Sequence, residues 1–335
     1  MRSLPNSVTG QPSAGLSQKE RMTMKKTLVI LTGPTAVGKT ELSINLAKAI
    51  GGEIISADSM QVYKEMNIGT AKIMPDEMQG VPHYLVDEIS PDEDFHVVKF
   101  KEYAKGYMEQ IYKKGKIPII VGGTGFYIQA VLKDVSFDEN KEDKAYREEL
   151  QNFAKEHGAK ALHDKLREVD SESANAIHEN NIKRVIRALE FYHLTGKKIS
   201  KHNEEEKDKD SPYNFAYFVL TNNREVLYER IDKRVDLMME QGLLEEVAAL
   251  KEKGYSRDLV SMQGLGYKEV FAYLDGEISL EEAIYILKRD TRHFAKRQLT
   301  WFRREKDVIW VDKSLFSSQE EVLSFCLEKI KEKDI

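Results

Sequence analysis

The chain of 335 residues holds a single cysteine, Cys326. One thiol excludes an internal disulfide framework and a cysteine-built zinc cluster, and it fits a reducing, cytoplasmic setting. No apolar run reaches the roughly 18 residues of a membrane-crossing helix, so no membrane partner is expected. Excess positive charge is also missing: 51 Lys and Arg stand against 56 Asp and Glu, a formal net charge of −5. That excludes a whole-chain nucleic-acid coat and leaves any polyanion site to a local patch. Residues 1–25 lack the apolar centre of a secretory signal; rich in Ser, Gly, Gln and Pro, they read as a disordered tail or an upstream extension of the reading frame. What is present, 41% hydrophobic and 32% charged residues, is the mix of a globular protein with a sizeable core.

Alternation of short apolar runs with helical periods sets the fold class. Thr27–Leu31, Glu53–Ser56 and Ile117–Val121 read as strands. Glu41–Ile50 and Phe100–Lys114 carry apolar residues at helical spacing. Strand and helix in turn imply a parallel sheet covered on both faces. Over residues 139–195 helix follows helix with many charges, which predicts an all-helical insert; residues 26–138 and 196–335 then form the α/β core with C-terminal helices. Lys201–Asp210 is almost wholly charged and is expected to be a solvated connection. Ala216–Leu220 returns to strand character, residues 224–304 to helix, and Val308–Val311 to a last strand.

The strongest chemical signal is Gly33-Pro34-Thr35-Ala36-Val37-Gly38-Lys39-Thr40. It fits G-x-x-x-x-G-K-[ST] between a strand and a helix, the context in which a P-loop works. Its glycines let backbone amides turn toward phosphate oxygens, the helix N-terminus adds partial positive charge, Lys39 brings a point charge, and the Thr40 hydroxyl suits Mg²⁺. The cradle does not name the reaction, since kinases, NTPases and transferases with a diphosphate leaving group all need one. A motor NTPase would place an acid after a further strand to help hold the metal. Ile117–Val121 ends in Gly-Gly-Thr instead, and the nearby strand-end acid is Asp58, either a metal helper or a group that serves an acceptor.

Residues 288–304 hold seven Lys and Arg against the lone Asp290, with Phe294, Trp301 and Phe302 between them. Lys288, Arg292 and Lys296 share one helical face; Arg289, His293 and Arg297 share the next. A basic helix with aromatics suits an RNA backbone and unstacked bases, although a solvated helix with its aromatics turned inward gives the same pattern. Asn181–Arg187 is a second basic helical piece open to the same two readings.

With these segments in order the chain resembles the bacterial tRNA dimethylallyltransferases over about residues 26–311. The P-loop, Ile55–Tyr63 with Asp58-Ser59-Met60-Gln61, Ile68–Lys72, Val121–Gly125, Arg184–Glu190, Gln263–Tyr267 and Ala295–Trp301 carry the likeness. The resemblance implies transfer of a dimethylallyl group from dimethylallyl diphosphate to N6 of the adenosine 3′-adjacent to the anticodon, with Mg²⁺ and release of diphosphate, by a monomer. It implies that Gly33, Thr35, Ala36, Val37, Gly38, Lys39 and Thr40 hold the diphosphate, that Thr40 is the metal ligand, and that Arg234 also grips the leaving group. It makes Asp58 the base toward the adenine amine and sets Thr124 beside the reacting nucleoside. Contacts to the tRNA anticodon stem-loop fall on Asp58, Ser59, Met60, Gln61, Thr124, Arg147, Lys183, Arg184, Gln263, Gly264, Gly266, Tyr267, Lys268, Lys296, Arg297, Gln298, Trp301 and Arg303. Three other readings stay open at this point: a small-molecule P-loop kinase, an adenylate dimethylallyltransferase acting on free nucleotides, and an RNA-binding module with a relic P-loop.

Overall fold

The computed structural model describes residues 25–137 and 143–335. The expected tail lies outside the described residues except for Lys25, as does the expected start of the insert at 139. Strands β1 (Lys26–Thr32), β2 (Gly52–Ala57), β3 (His83–Tyr84), β4 (Ile117–Gly122), β5 (Tyr213–Thr221) and β6 (Val308–Asp312) make one sheet in the order β3-β2-β4-β1-β5-β6. Every neighbouring pair runs parallel. Apolar runs on the strands are continuous because both faces are covered: Leu28 and Ile30 of β1 enter one core cluster, and Val29 and Leu31 enter the other, all four with 0% exposure.

Helices α1 (Lys39–Ile50), α2 (Val97–Lys113) and α3 (Gly125–Leu132) return the chain between the early strands. A C-terminal helical layer follows β5: α8 (Arg224–Glu240), α9 (Leu243–Glu252), α10 (Tyr267–Leu274) and α11 (Leu280–Phe302), with α12 (Gln319–Glu332) after β6. Cys326 is buried in α12, where burial pushes its thiol up to about 12. Among the described residues no helix is long and apolar enough to cross a membrane.

The helical insert has its own core. α4 (Lys144–Val169), kinked at Gly158, α5 (Ser171–Ala176) and α6 (Ile182–Thr195) bury Leu150, Leu162, Leu166, Val185, Ile186 and Leu189 against one another. The structure differs from the sequence reading at the end of this unit. Lys201–Asp210 is mostly exposed, as expected of a solvated stretch, but it is not a plain connection: residues Ile199–Asp208 form α7, which touches the insert through Ile199. Ser200 donates through its amide and hydroxyl to the buried Asp170 (3.0 and 2.8 Å), and the buried Glu206 accepts from the Ser136 amide (2.8 Å). A charged sequence hid this helix because it is held by polar anchors rather than by an apolar stripe. Helices thus continue through residue 208 before β5 begins at Tyr213.

Candidate active site

Parallel strands put all their carboxyl ends on one edge of the sheet, and ligands of such folds gather there. β2, β4 and β1 lie side by side, so the segments after them meet: Asp58 after β2, Gly123-Thr124 after β4, and the Gly33–Lys39 loop after β1. The fit at this edge is close. A Cβ on Gly122 would stand 2.3 Å from the Ala57 carbonyl oxygen, and the Thr124 amide donates to that same oxygen at 3.2 Å. Gly-Gly-Thr stands where an acid was absent because the neighbouring backbone leaves no room for a side chain at its first position.

The phosphate loop has left-handed backbone at Gly33, Ala36 and Gly38 (φ 147°, 63° and 90°), which turns its amides into a concave nest. Lys39 folds over the nest and donates to the Gly33 and Pro34 carbonyls at 3.0 and 2.9 Å. Burial pushes its ammonium down to about 8; the Asp58 carboxylate opposes that shift and Arg234 adds to it. Lys39, Asp58 and Arg234 thus share one electrostatic environment. Burial also lowers the Arg234 guanidinium, again opposed by Asp58. Of the neighbouring arginines on α8, Arg234 lines the cleft, while the charge of Arg230 acts on Lys313. Lys313 was missed by the sequence reading. It lies just after β6 and donates to the Val37 carbonyl at 3.3 Å, a contact that no local motif announces.

Asp58 Oδ1 accepts from the amides of Met60 (2.9 Å) and Gln61 (3.3 Å), a local turn that fixes the carboxylate. Among the described residues Oδ2 has no such partner, and Asp58 lines the cleft. The cleft measures about 330 Å³. Thr35, Asp58, Ser59, Met60, Thr124, Arg234, Gln263, Gly264, Tyr267, Lys268, Arg297 and Gln298, all expected at the site, line it. Its apolar side is formed by Phe294 of α11, already marked as an aromatic of the basic segment, with Leu287 of α11 and Ile231, Val235 and Met238 of α8, which carry no chemical signature in sequence. Arg234 shares a helical face with Ile231, Val235 and Met238, so one face of α8 offers both a cation and an apolar wall.

Other expected contacts have different occupations. Gln298 is buried and spans the site floor: it accepts from the Thr35 amide (2.9 Å) and donates to the Gly123 carbonyl (3.1 Å), tying the phosphate loop to the β4 turn. Gln61 donates to the Thr70 and Ala71 carbonyls (3.3 and 3.1 Å). Trp301 does not line the cleft; it packs where a Cβ on Gly125 would be 2.2 Å from its ring. Arg147 pairs with the fully buried Glu190, which also takes Arg187, so these charges hold the insert together. Gly266 starts α10 behind the cleft. Lys183 and Arg303 are outside the cleft, as is Arg184.

The basic face of α11 is half consumed. Lys288 pairs with Asp236 at 2.6 Å and Arg292 pairs with Asp232, both acids on α8. Arg289 bonds Asp290. Four-residue spacing identifies the face but not the acidic helix opposite. Lys296 and Arg297 remain exposed, with Arg297 over the Phe294 ring.

Residues 61–305 match the family described as IPP transferase. The tRNA dimethylallyltransferase of Lachnoclostridium phytofermentans is 65% identical over 308 residues, covering 92% of this chain and 98% of that protein. The full-length tRNA isopentenylpyrophosphate transferase of Bacillus halodurans superposes with a TM-score of 0.70 at 46% identity, covering 92% of this chain and 98% of that one. A eukaryotic dimethylallyltransferase caught acting on tRNA superposes with a TM-score of 0.76 at 30% identity, over 92% and 80% of the two chains.

Proposed function

The chain belongs to the IPP transferase family and catalyses tRNA prenylation, and from that membership we infer that its cleft takes dimethylallyl diphosphate on the phosphate-loop side and an extruded tRNA adenosine on the Asp58 side. One observation carries this reading: the Asp58 carboxylate, fixed through Oδ1 by two backbone amides, lines the same half-apolar cleft as Arg234 and the phosphate-loop residue Thr35. The reaction joins N6 of adenine to the allylic carbon, breaks the carbon–oxygen bond, and sends the electron pair out with diphosphate. Loop amides, Lys39 and Arg234 meet the charge that grows on the leaving group. Ile231, Val235, Met238 and Leu287 shelter the five-carbon chain. The adenine amine is a poor nucleophile because its lone pair is delocalised; Asp58 Oδ2 orients its N–H and takes the proton as the new bond forms.

Mg²⁺ fits this site as a companion of the diphosphate. Among the described residues no group of three or more acids, histidines or cysteines is placed to hold a metal alone. The Thr40 hydroxyl, in the exposed first turn of α1, is a suitable single protein ligand, and Mg²⁺ often takes one or two protein groups plus phosphate oxygens. When bound, the ion neutralises part of the diphosphate charge. All of these groups come from one chain, which supports action as a monomer.

The target adenosine must leave its stack, at a cost of a few kcal/mol. Lys296 and Arg297, with Lys183, Arg184 and Arg303, are the exposed cations proposed to offset that cost. Reversing the charge of Lys296 and Arg297 together is expected to raise the tRNA Kd about tenfold at low salt. The slope of log K against log salt should fall by roughly 1 to 2. An unaltered slope would take this helix out of the RNA interface.

The function itself is tested with unmodified tRNA, dimethylallyl diphosphate and Mg²⁺. Digestion and mass measurement should find an adenosine heavier by one dimethylallyl group beside the anticodon. ATP in place of the prenyl donor should leave every nucleoside unchanged; transfer of phosphate would support the kinase reading instead.

A further inference from the structure

Glu246 on α9 is surrounded by donors. Its Oε2 accepts from the amides of Asn67 (2.9 Å) and Ile68 (2.8 Å), and its Oε1 accepts from the Gly69 amide (3.2 Å) and the Tyr267 hydroxyl (2.6 Å). Three successive amides converging on one anion form a nest, and here the chain fills it with its own carboxylate. Burial, with the Glu246 charge next, holds the Tyr267 phenol far above its ordinary range, so it stays a donor. The turn at 67–70 is pressed flat on that phenol: a Cβ on Gly69 would stand 2.5 Å from the Tyr267 ring. This accounts for the glycine in Ile68-Gly69-Thr70, a segment whose chemistry sequence reasoning left unexplained.

The far side of the same turn leads to the reacting centre. Gln61 donates to the Thr70 and Ala71 carbonyls, and its own amide donates to Asp58 Oδ1. Asp58, Gly69, Thr70 and Tyr267 line one cleft. We propose that Glu246 is a positioning residue for the acceptor nucleoside: it locks the 67–70 turn to Tyr267, and through Gln61 that turn sets the wall against which the adenine meets Asp58. This network meets the diphosphate side at Asp58, while the hydrogen bonds of Lys39 stay within the phosphate loop. The inference rests on the tRNA-prenylation reading above.

Glu246→Gln keeps the size but gives one oxygen for four donors and turns an N–H toward amides. With an anticodon stem-loop RNA, dimethylallyl diphosphate and Mg²⁺, E246Q is expected to raise the RNA KM and lower kcat, each roughly tenfold, while the KM for dimethylallyl diphosphate stays within about twofold. E246D, which keeps the charge on a shorter arm, should recover part of both losses. Wild-type RNA KM and kcat in E246Q overturn the proposal, and so does a prenyl-donor KM that rises in step with the RNA KM, the mark of general damage to the fold. If E246Q does not fold, Tyr267→Phe removes a single donor and should shift the RNA KM alone, in the same direction by a smaller factor; unchanged values there overturn the proposal too. A wild-type enzyme that modifies no RNA would defeat the functional reading itself, whereas an active wild type with unaffected variants defeats only the role of Glu246.

Discussion

Asp58→Asn is expected to lower the single-turnover rate of prenyl transfer by about 10³-fold, with little change in melting temperature or in the KM for dimethylallyl diphosphate. The substitution separates two duties of one side chain. Oδ1 of the natural residue accepts the Met60 and Gln61 amides, and an asparagine carbonyl in the same place does this equally well. Oδ2 becomes an NH₂ group, a donor facing the donor amine of adenine, with no capacity to take a proton. Fold and turn survive while orientation and proton transfer are lost. A variant that turns over near the natural rate would remove Asp58 from the mechanism. The change also takes away the negative charge that holds the Lys39 ammonium up, so Lys39 should titrate lower still in this variant.

Lys39→Met is expected to cost at least about 10³-fold in kcat/KM and yet to leave the free enzyme no less stable. Burial, partly offset by Asp58, brings Lys39 from 10.5 down to about 8. Below pH 8 the lysine is charged in both folded and unfolded chains, and the folded state bears the whole cost of burying that charge. Between pH 8 and 10.5 the folded chain sheds the proton first, so the cost fades as pH rises and stability increases across that window. Methionine removes the cost but leaves the Gly33 and Pro34 carbonyls without their donor, about 1 kcal/mol each. The net expectation at pH 7 is no loss of stability, read from denaturant unfolding. Affinity follows the opposite course in the natural enzyme. The charged form binds diphosphate, so pyrophosphate should bind with proton uptake near pH 8 and progressively more weakly above it. Calorimetry at pH 7 to 9 checks this; a pH-independent affinity, or a K39M variant clearly less stable than the natural chain, would contradict the burial of charge at this site.

The two substitutions act on features that differ in how far they are legible along the chain. Lys39 belongs to a contiguous motif whose physics is local: a strand, a left-handed turn and a helix start within about fifteen residues, with the charge held by carbonyls five and six positions away. Asp58 is visible as an acid after a strand, but its partner Arg234 lies 176 positions further on, and only the packing of α8 over the sheet edge separates it from Arg230. Gln298, Gln61 and Arg147, expected as RNA contacts, also make hydrogen bonds inside the protein that the sequence does not announce: across the site floor, under the 70–71 turn, and on the buried Glu190.

Periodicity, punctuation by glycine and the run of phosphate-loop residues were enough to establish a parallel α/β sheet with a helical insert, because such patterns follow from bonds and burial within a few turns of chain. Which charges stay available to a substrate was settled only in three dimensions. Lys288 and Arg292 are neutralised by acids 52 and 60 positions earlier, Lys313 arrives at the loop from the last strand, and Glu246 reaches back to amides near position 68. Electrostatic partnership depends on distance through space and on burial, and neither of these is written into the order of residues along a strand or a helix.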